Sequence, residues 1–179
     1  MNTSNLFVSV SLLFILALLL ITIGCIRIPE NVKPVDHFVL EKYLGVWYEI
    51  ARLDHSFERG LSKVTATYSL RDDGGIKVVN RGFSVKENSW KEAEGKAYFV
   101  QKSDQGFLKV SFFGPFYGSY IIVELDHKDY HYALVCGPNK SYLWILARTQ
   151  EIQKELKNSL IEKASQLGFN TSQLIFVDH

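Results

Sequence analysis

The sequence is poor in several residue types, and each shortage excludes something. It has two cysteines, Cys25 and Cys136, in 179 residues, so it holds no disulfide framework of the kind that staples small secreted domains. Neither cysteine has zinc-ligand spacing, and the five histidines at 37, 55, 127, 131 and 179 are scattered. Charge of one sign is also missing. Twenty Lys and Arg against nineteen Asp and Glu leave a formal charge of +1, without the basic surplus that phosphate contacts need, so nucleic acid is not an expected partner. No internal repeat and no low-complexity tract appears.

Charge is absent altogether before Arg27. From residue 6 to residue 23 the only polar side chains are Ser9, Ser11 and Thr22. Such a run fits either a removable secretory signal or an uncleaved anchor helix. The next residues bear on the choice. Thr22-Ile23-Gly24-Cys25 resembles the lipobox of bacterial lipoproteins, in which a small residue precedes a cysteine that is lipidated and becomes the new N-terminus. That resemblance implies a signal peptide over 1–24, a lipid on Cys25 and tethering outside the cytoplasm. A residue other than Asp after the cysteine implies sorting to the outer membrane, facing the periplasm. Residues 26–36 carry Pro29 and Pro34 without helical or strand period, and read as an extended linker that lifts the domain from the bilayer.

The remaining chain, 36–179, has the length of one domain. Asp36 is placed to cap a short helical turn ending at Tyr43. Eight segments rich in β-branched and aromatic residues follow, at 46–53, 64–70, 76–83, 92–100, 107–113, 119–125, 130–136 and 142–148. Asp72-Asp73-Gly74-Gly75, Gly114-Pro115 and Gly137-Pro138-Asn139 supply turn chemistry between them. The period then changes. Beyond Thr149, a candidate cap, Ile152, Leu156, Leu160, Ala164 and Leu167 lie on one face of a helix, with Gly168 as its stop. Residues 174–177 read as a ninth strand. The expected class is all-β: an eight-stranded antiparallel up-and-down barrel, with a C-terminal α-helix and a short ninth strand.

Alternation sorts inward from outward side chains. It places Ala66, Tyr68 and Leu70 inside on the second strand, and Ile76, Val78 and Asn80 on the third. Ala93, Gly95, Ala97 and Phe99 follow on the fourth, Leu108, Val110 and Phe112 on the fifth, and Tyr142, Trp144 and Leu146 on the eighth. A barrel of eight strands is either filled by side chains or wide enough for one small ligand. The small residues of the fourth strand favour space, and Asn80 is the odd polar group. Glu49 is a candidate buried acid with a raised pKa. No acid–base pair or nucleophile–base pair is visible, and Cys136, ending an apolar strand, is a poor nucleophile, so catalysis is not expected.

Gly45-Val46-Trp47 resembles the G-x-W signature of the lipocalin family, and Arg148 stands where that family places an arginine after the last barrel strand. The likeness extends over nearly all of 36–178, and is strongest to the family's bacterial outer-membrane lipoproteins around 44–79 and 111–118. The family's T-D-Y is represented by Leu125-Asp126-His127. Membership implies that Trp47 plugs a closed base with Arg148 across its ring, a cation–π contact. Turns after strands one, three, five and seven then surround the opposite, open mouth, where Phe113, Phe116 and Tyr117 form an exposed contact patch. The implied function is binding of fatty acids, lysophospholipids or similar amphiphiles, for lipid storage or transport in membrane maintenance. The implied partners are that lipid and the membrane, with a homodimer compatible and no cofactor or metal required. Two other readings stay open: a filled barrel that docks a partner through its aromatic mouth loop, and a tetrapyrrole carrier whose Tyr and His side chains converge inside.

Overall fold

The computed structural model describes residues 26–179. Cys25 and the apolar run before it lie outside the described residues. A single turn of helix, α1 (Leu40–Tyr43), leads into eight antiparallel strands: β1 (Gly45–Arg52), β2 (Leu61–Leu70), β3 (Ile76–Ser84), β4 (Ser89–Phe99), β5 (Phe107–Phe113), β6 (Phe116–Leu125), β7 (Tyr132–Cys136) and β8 (Leu143–Ala147). Each pairs with the next, and β1 pairs with both β2 and β8, which closes the barrel. Helix α2 (Lys154–Gln166) and a 3-10 turn follow, and β9 (Ile175–Phe176) joins the edge of β1 at Ala51 and Arg52.

Apolar side chains collect in two layers. One fills the lower barrel interior around Phe38, Tyr43, Trp47 and Tyr130. The other lies between α2 and the outer face of β7 and β8, where Leu160 and Ala164 pack with Leu134, Cys136 and Ile145. The alternate face of β8 is apolar because it serves this second layer. Gly168 ends α2 at φ +83°, with its N–H bonded to Ser165 O and that of Phe169 to Ala164 O. This paired closure needs a left-handed residue, which glycine supplies without strain.

Three local expectations change. Asp36 does not cap α1: the cap position is Val39, whose N–H donates to the Tyr130 hydroxyl, while Asp36 bridges to Gln105. Thr149 does not open α2, because its hydroxyl closes a turn onto Glu151 O and the helix begins at Lys154. The linker is not a free spacer. Arg27 is fixed to Ser119 and Pro138, and Val35 exchanges backbone bonds with Ile122 and Gly106. Val32 is buried in the layer under α2. Nor is the linker extended throughout: it turns over residues 29–32, where Val32 N donates to Pro29 O and Asn31 has φ +62°, and burial and hydrogen bonds hold it along the barrel wall.

Candidate functional site

The base is closed by one set of contacts. Trp47 is fully buried, and its Nε1 donates to Tyr43 O at 2.8 Å. The Arg148 guanidinium lies 4.0 Å from the Trp47 ring centre and donates to Lys42 O, Leu44 O and Val46 O at 2.7, 2.9 and 2.8 Å. Arg148 Nε reaches Tyr130 O at 3.3 Å. The fork thus satisfies carbonyls from α1, β1 and the β6–β7 turn together. Gly45 is required because its φ is +95°, where a side chain is strained. In the β6–β7 turn the Asp126 carboxylate accepts from the N–H groups of Lys128, Asp129 and His131, so the altered motif still builds an ordered turn.

Above the base lies a cavity of about 430 Å³, within the range of small-ligand pockets. Ala66, Tyr68, Val78, Asn80, Ala97, Leu108, Val110, Phe112, Tyr142 and Trp144 all line it. Phe99 does not: its ring packs edge-on against Phe38, 6.0 Å away, as part of the lower core. Leu70 and Ala93 are exposed. Both have the inward parity, but Leu70 runs past the start of β1, and Ala93 lies beyond the level at which β5 pairs with β4. Gly95 does not leave empty space either. A Cβ there would meet the Phe112 ring at 2.8 Å, so the small residue seats a large one.

Of the rim residues, Phe116 and Tyr117 line the cavity entrance, while Phe113 points to solvent. The Tyr117 ring is flanked by Lys109, with Nζ 5.1 Å from its centre. The entrance also takes Phe57 from the β1–β2 loop and Gly137–Asn139 from the β7–β8 loop, so the odd-numbered turns share one end.

Two polar groupings escaped the sequence reading. On the floor, the Tyr120 hydroxyl sits 2.7 Å from those of both Tyr43 and Tyr68. Burial raises the pKa of all three phenols, so they stay neutral. Nearer the mouth, a register shift between Glu49 and Ala51 brings Glu49 and Arg52 together, although residues three apart on a regular strand face opposite ways. Arg52 Nη1 donates to Glu49 Oε1 at 2.5 Å, and Nη2 to Glu58 O at 2.8 Å. Glu58 Oε2 accepts from Trp144 Nε1 at 3.0 Å and lies 3.0 Å from His55 Nε2.

Burial and the neighbouring Glu58 carboxylate push the Glu49 carboxyl well above the ordinary glutamate range, against the pull of Arg52. Burial acts on Glu58 in the same sense, but contacts with His55, Trp144 and Glu49 outweigh it and hold Glu58 below that range. Of the two, Glu49 therefore holds a proton the more tightly. Asn80 Oδ1 is buried with no hydrogen-bond partner.

Residues 36–179 match the lipocalin-like domain family. The chain is a lipocalin. It is 60% identical over 154 residues to outer membrane lipoprotein Blc of Vibrio cholerae, covering 86% of this chain and 90% of that one. It is 54% identical over 149 residues to the protein of the same name from Escherichia coli K12, covering 83% and 84%. These relatives place the chain among the lipid-anchored proteins of the outer membrane. The fold of insecticyanin from the tobacco hornworm superposes with a TM-score of 0.69 at 24% identity, covering 86% of this chain and 87% of that one. Lipocalins of this kind take small hydrophobic ligands.

Proposed function

We propose that this lipocalin binds fatty acids, lysophospholipids or similar amphiphiles in the barrel, for storage or transport of lipid in membrane maintenance. The observation that carries the reading is the character of the cavity. Ile76, Val78, Ala97, Leu108 and Val110 line it with apolar side chains, while the neighbouring carboxyls of Glu49 and Glu58 and the unpartnered Asn80 Oδ1 supply polar atoms. An alkyl chain fits the apolar lining and leaves its polar end toward the mouth. Ten buried methylenes contribute roughly 8 kcal/mol, which gives about micromolar binding if polar contacts made by the ligand offset the cost of association. The cavity speaks against a filled barrel. The three floor hydroxyls bond to one another, and among the described residues no imidazole lines the cavity, which disfavours a tetrapyrrole. The site is a binding site rather than a catalytic one. Cys136 lies under α2, and burial pushes its thiol pKa up to about 12.

Native mass spectrometry of the membrane-extracted protein, followed by lipid analysis, tests the ligand class. A co-purifying acyl lipid is expected, and a coloured tetrapyrrole in its place would overturn the reading. The lipid anchor is assigned to Cys25. Cys25→Ala is expected to abolish labelling by a fatty-acid analogue, and persistent labelling would move the attachment elsewhere.

A further inference from the structure

Two neighbouring strands of the barrel part company on its mouth side. β1 pairs with β2 from Gly45 to Tyr48, opposite Tyr68 to Thr65, and no further. Beyond that level β2 runs on to Leu61 paired with β3, while β1 runs on to Arg52 paired with β8 and β9. Irregularities in both strands set the split. A register shift between Glu49 and Ala51 bends β1, and another between Ser62 and Thr65, with Lys63 at φ +52°, bends β2. Bulges of this kind turn a strand away from a partner it would otherwise follow. The resulting seam is part of the cavity wall, because Glu49, Glu58, Val64 and Thr65 all line the cavity.

Two devices bridge the seam in place of a ladder. On the inner side, Arg52 Nη2 donates to Glu58 O at 2.8 Å and to Leu61 O at 3.2 Å. On the outer side lie residues 175–179. Ile175 and Phe176 pair with Arg52 and Ala51, Val177 N donates to Ile50 O at 3.1 Å, and His179 Nε2 donates to Glu49 O at 2.9 Å. The same segment reaches across to β2, where Lys63 N donates to Asp178 O at 2.7 Å. Leu174, just before it, packs against the layer under α2, whereas none of residues 175–179 is buried. A segment rooted at one end and otherwise held by a few exposed hydrogen bonds opens at lower cost than strands packed into a core. The inner bridge is also incomplete, since Arg52 Nε is buried without a partner.

We infer that residues 175–179 form a releasable strap across the β1–β2 seam, whose opening loosens the barrel wall and sets the rate at which an amphiphile enters and leaves the cavity. The inference rests on the lipid-binding reading given above. Leu174 is the hinge, and the Lys63–Asp178 bond is the catch. With the catch open, β1 and β2 are joined at that level by Arg52 alone, and the wall beside Glu49 and Thr65 yields to a passing alkyl chain. Phe116 marks where the chain enters, and the seam governs how far the wall gives as it does so. The strap itself lines no part of the cavity, so its opening changes entry and exit alike and leaves affinity as it was.

The test follows a dansylated undecanoic acid bound to the full chain and chased with excess oleate. Lys63→Cys and Asp178→Cys are introduced together and joined by a short bismaleimide, with the 63–178 link confirmed by mass mapping. Cys136 is buried and does not compete. Joining the two positions is expected to slow release and uptake about tenfold or more, because the local opening is blocked, while Kd stays that of the unjoined pair. His179→Ala removes one bond to β1 and is expected to speed both steps by roughly two- to tenfold. Hydrogen exchange tests the opening without a ligand: the Lys63 and Val177 amides are expected to exchange well before those of β7 and β8. Equal release from the joined and unjoined proteins overturns the inference, as does a Lys63 amide that exchanges only on global unfolding. A changed Kd with an unchanged uptake rate makes the segment a fixed part of the wall and overturns it too. If the unaltered protein binds no dansylated acid, the lipid reading falls and takes the inference with it.

Discussion

The two ends of the barrel are built on opposite terms. At the base, the donors and acceptors around Trp47 are matched: Arg148 alone serves four backbone carbonyls, and the indole N–H has its own acceptor. At the mouth, Asn80 Oδ1 and Arg52 Nε lack partners, two carboxyls share a buried site, and phenylalanines meet solvent. Matched polar groups and dense packing stabilise a fold, whereas unmatched ones cost stability and persist where a ligand or surface completes them. The difference assigns stability to the base and function to the mouth.

The largest effect expected is therefore at the base. Arg148→Ala removes the cation–π contact and leaves carbonyls from α1, β1 and the β6–β7 turn unserved. A loss of about 3 kcal/mol is expected, or roughly 6–12 °C in melting temperature for a domain of this size, with ligand affinity little changed. Arg148→Lys is expected to recover only part of it, since a single ammonium cannot reproduce the fork. In a double-mutant cycle with Trp47→Phe, additive losses would show that the two side chains do not interact. A stable Arg148→Ala protein with impaired binding would reverse the assignment of the two ends.

The middle-sized effect concerns Glu49 and Glu58, and its sign depends on pH. Glu49 holds its proton more tightly folded than unfolded, so the stability it gives is full below the ordinary glutamate range and is lost as pH rises toward its raised folded value. Glu58 behaves oppositely: its contribution is present above the ordinary range and is lost as pH falls through its lowered folded value. Glu49→Gln mimics the protonated form and is expected to leave stability unchanged in mild acid. It should remove the decline on the alkaline side, as followed by melting temperature from pH 4 to 9. A variant that keeps that decline would place its origin elsewhere.

How far the sequence reveals all this depends on the periodicity involved. Strand alternation identifies a face, and twelve of the sixteen residues assigned to the interior on that basis line the cavity. It does not identify depth. Phe99 lies too low, and Leu70 and Ala93 extend past the partners that would enclose them. Depth follows from pairing register, which is a property of two strands. The Glu49–Arg52 pair was hidden for a related reason: one bulge reverses parity on β1, and no residue in Gly45–Arg52 announces it. The docking of Arg27 at Ser119 and Pro138 joins positions 92 and 111 residues apart, with no local signal at either. By contrast, Gly45, Trp47, Arg148 and Gly168 are legible because each meets a backbone or ring geometry that few residue types satisfy.

The smallest effect on stability, and the sharpest separation of the two ends, is expected at Phe116. Its side chain lines the cavity entrance yet is largely exposed, so it does not fold back beneath the β1–β2 loop. Replacing an exposed side chain removes little buried area, and substitutions of that kind typically shift stability by no more than about 0.5 kcal/mol. Its place at the entrance means that an entering alkyl chain must pass it. Phe116→Ser is therefore expected to slow uptake of a fluorescent fatty acid from vesicles while the melting temperature stays nearly constant. Arg148→Ala should show the reverse pattern, with a lower melting temperature and normal uptake. Phe116→Ser and Arg148→Ala then form a crossed pair, and the crossing is what tests the division of labour. If Phe116→Ser lowered the melting temperature and left uptake intact, the ring would belong to the core. The mouth would then be as much a stabilising element as the base.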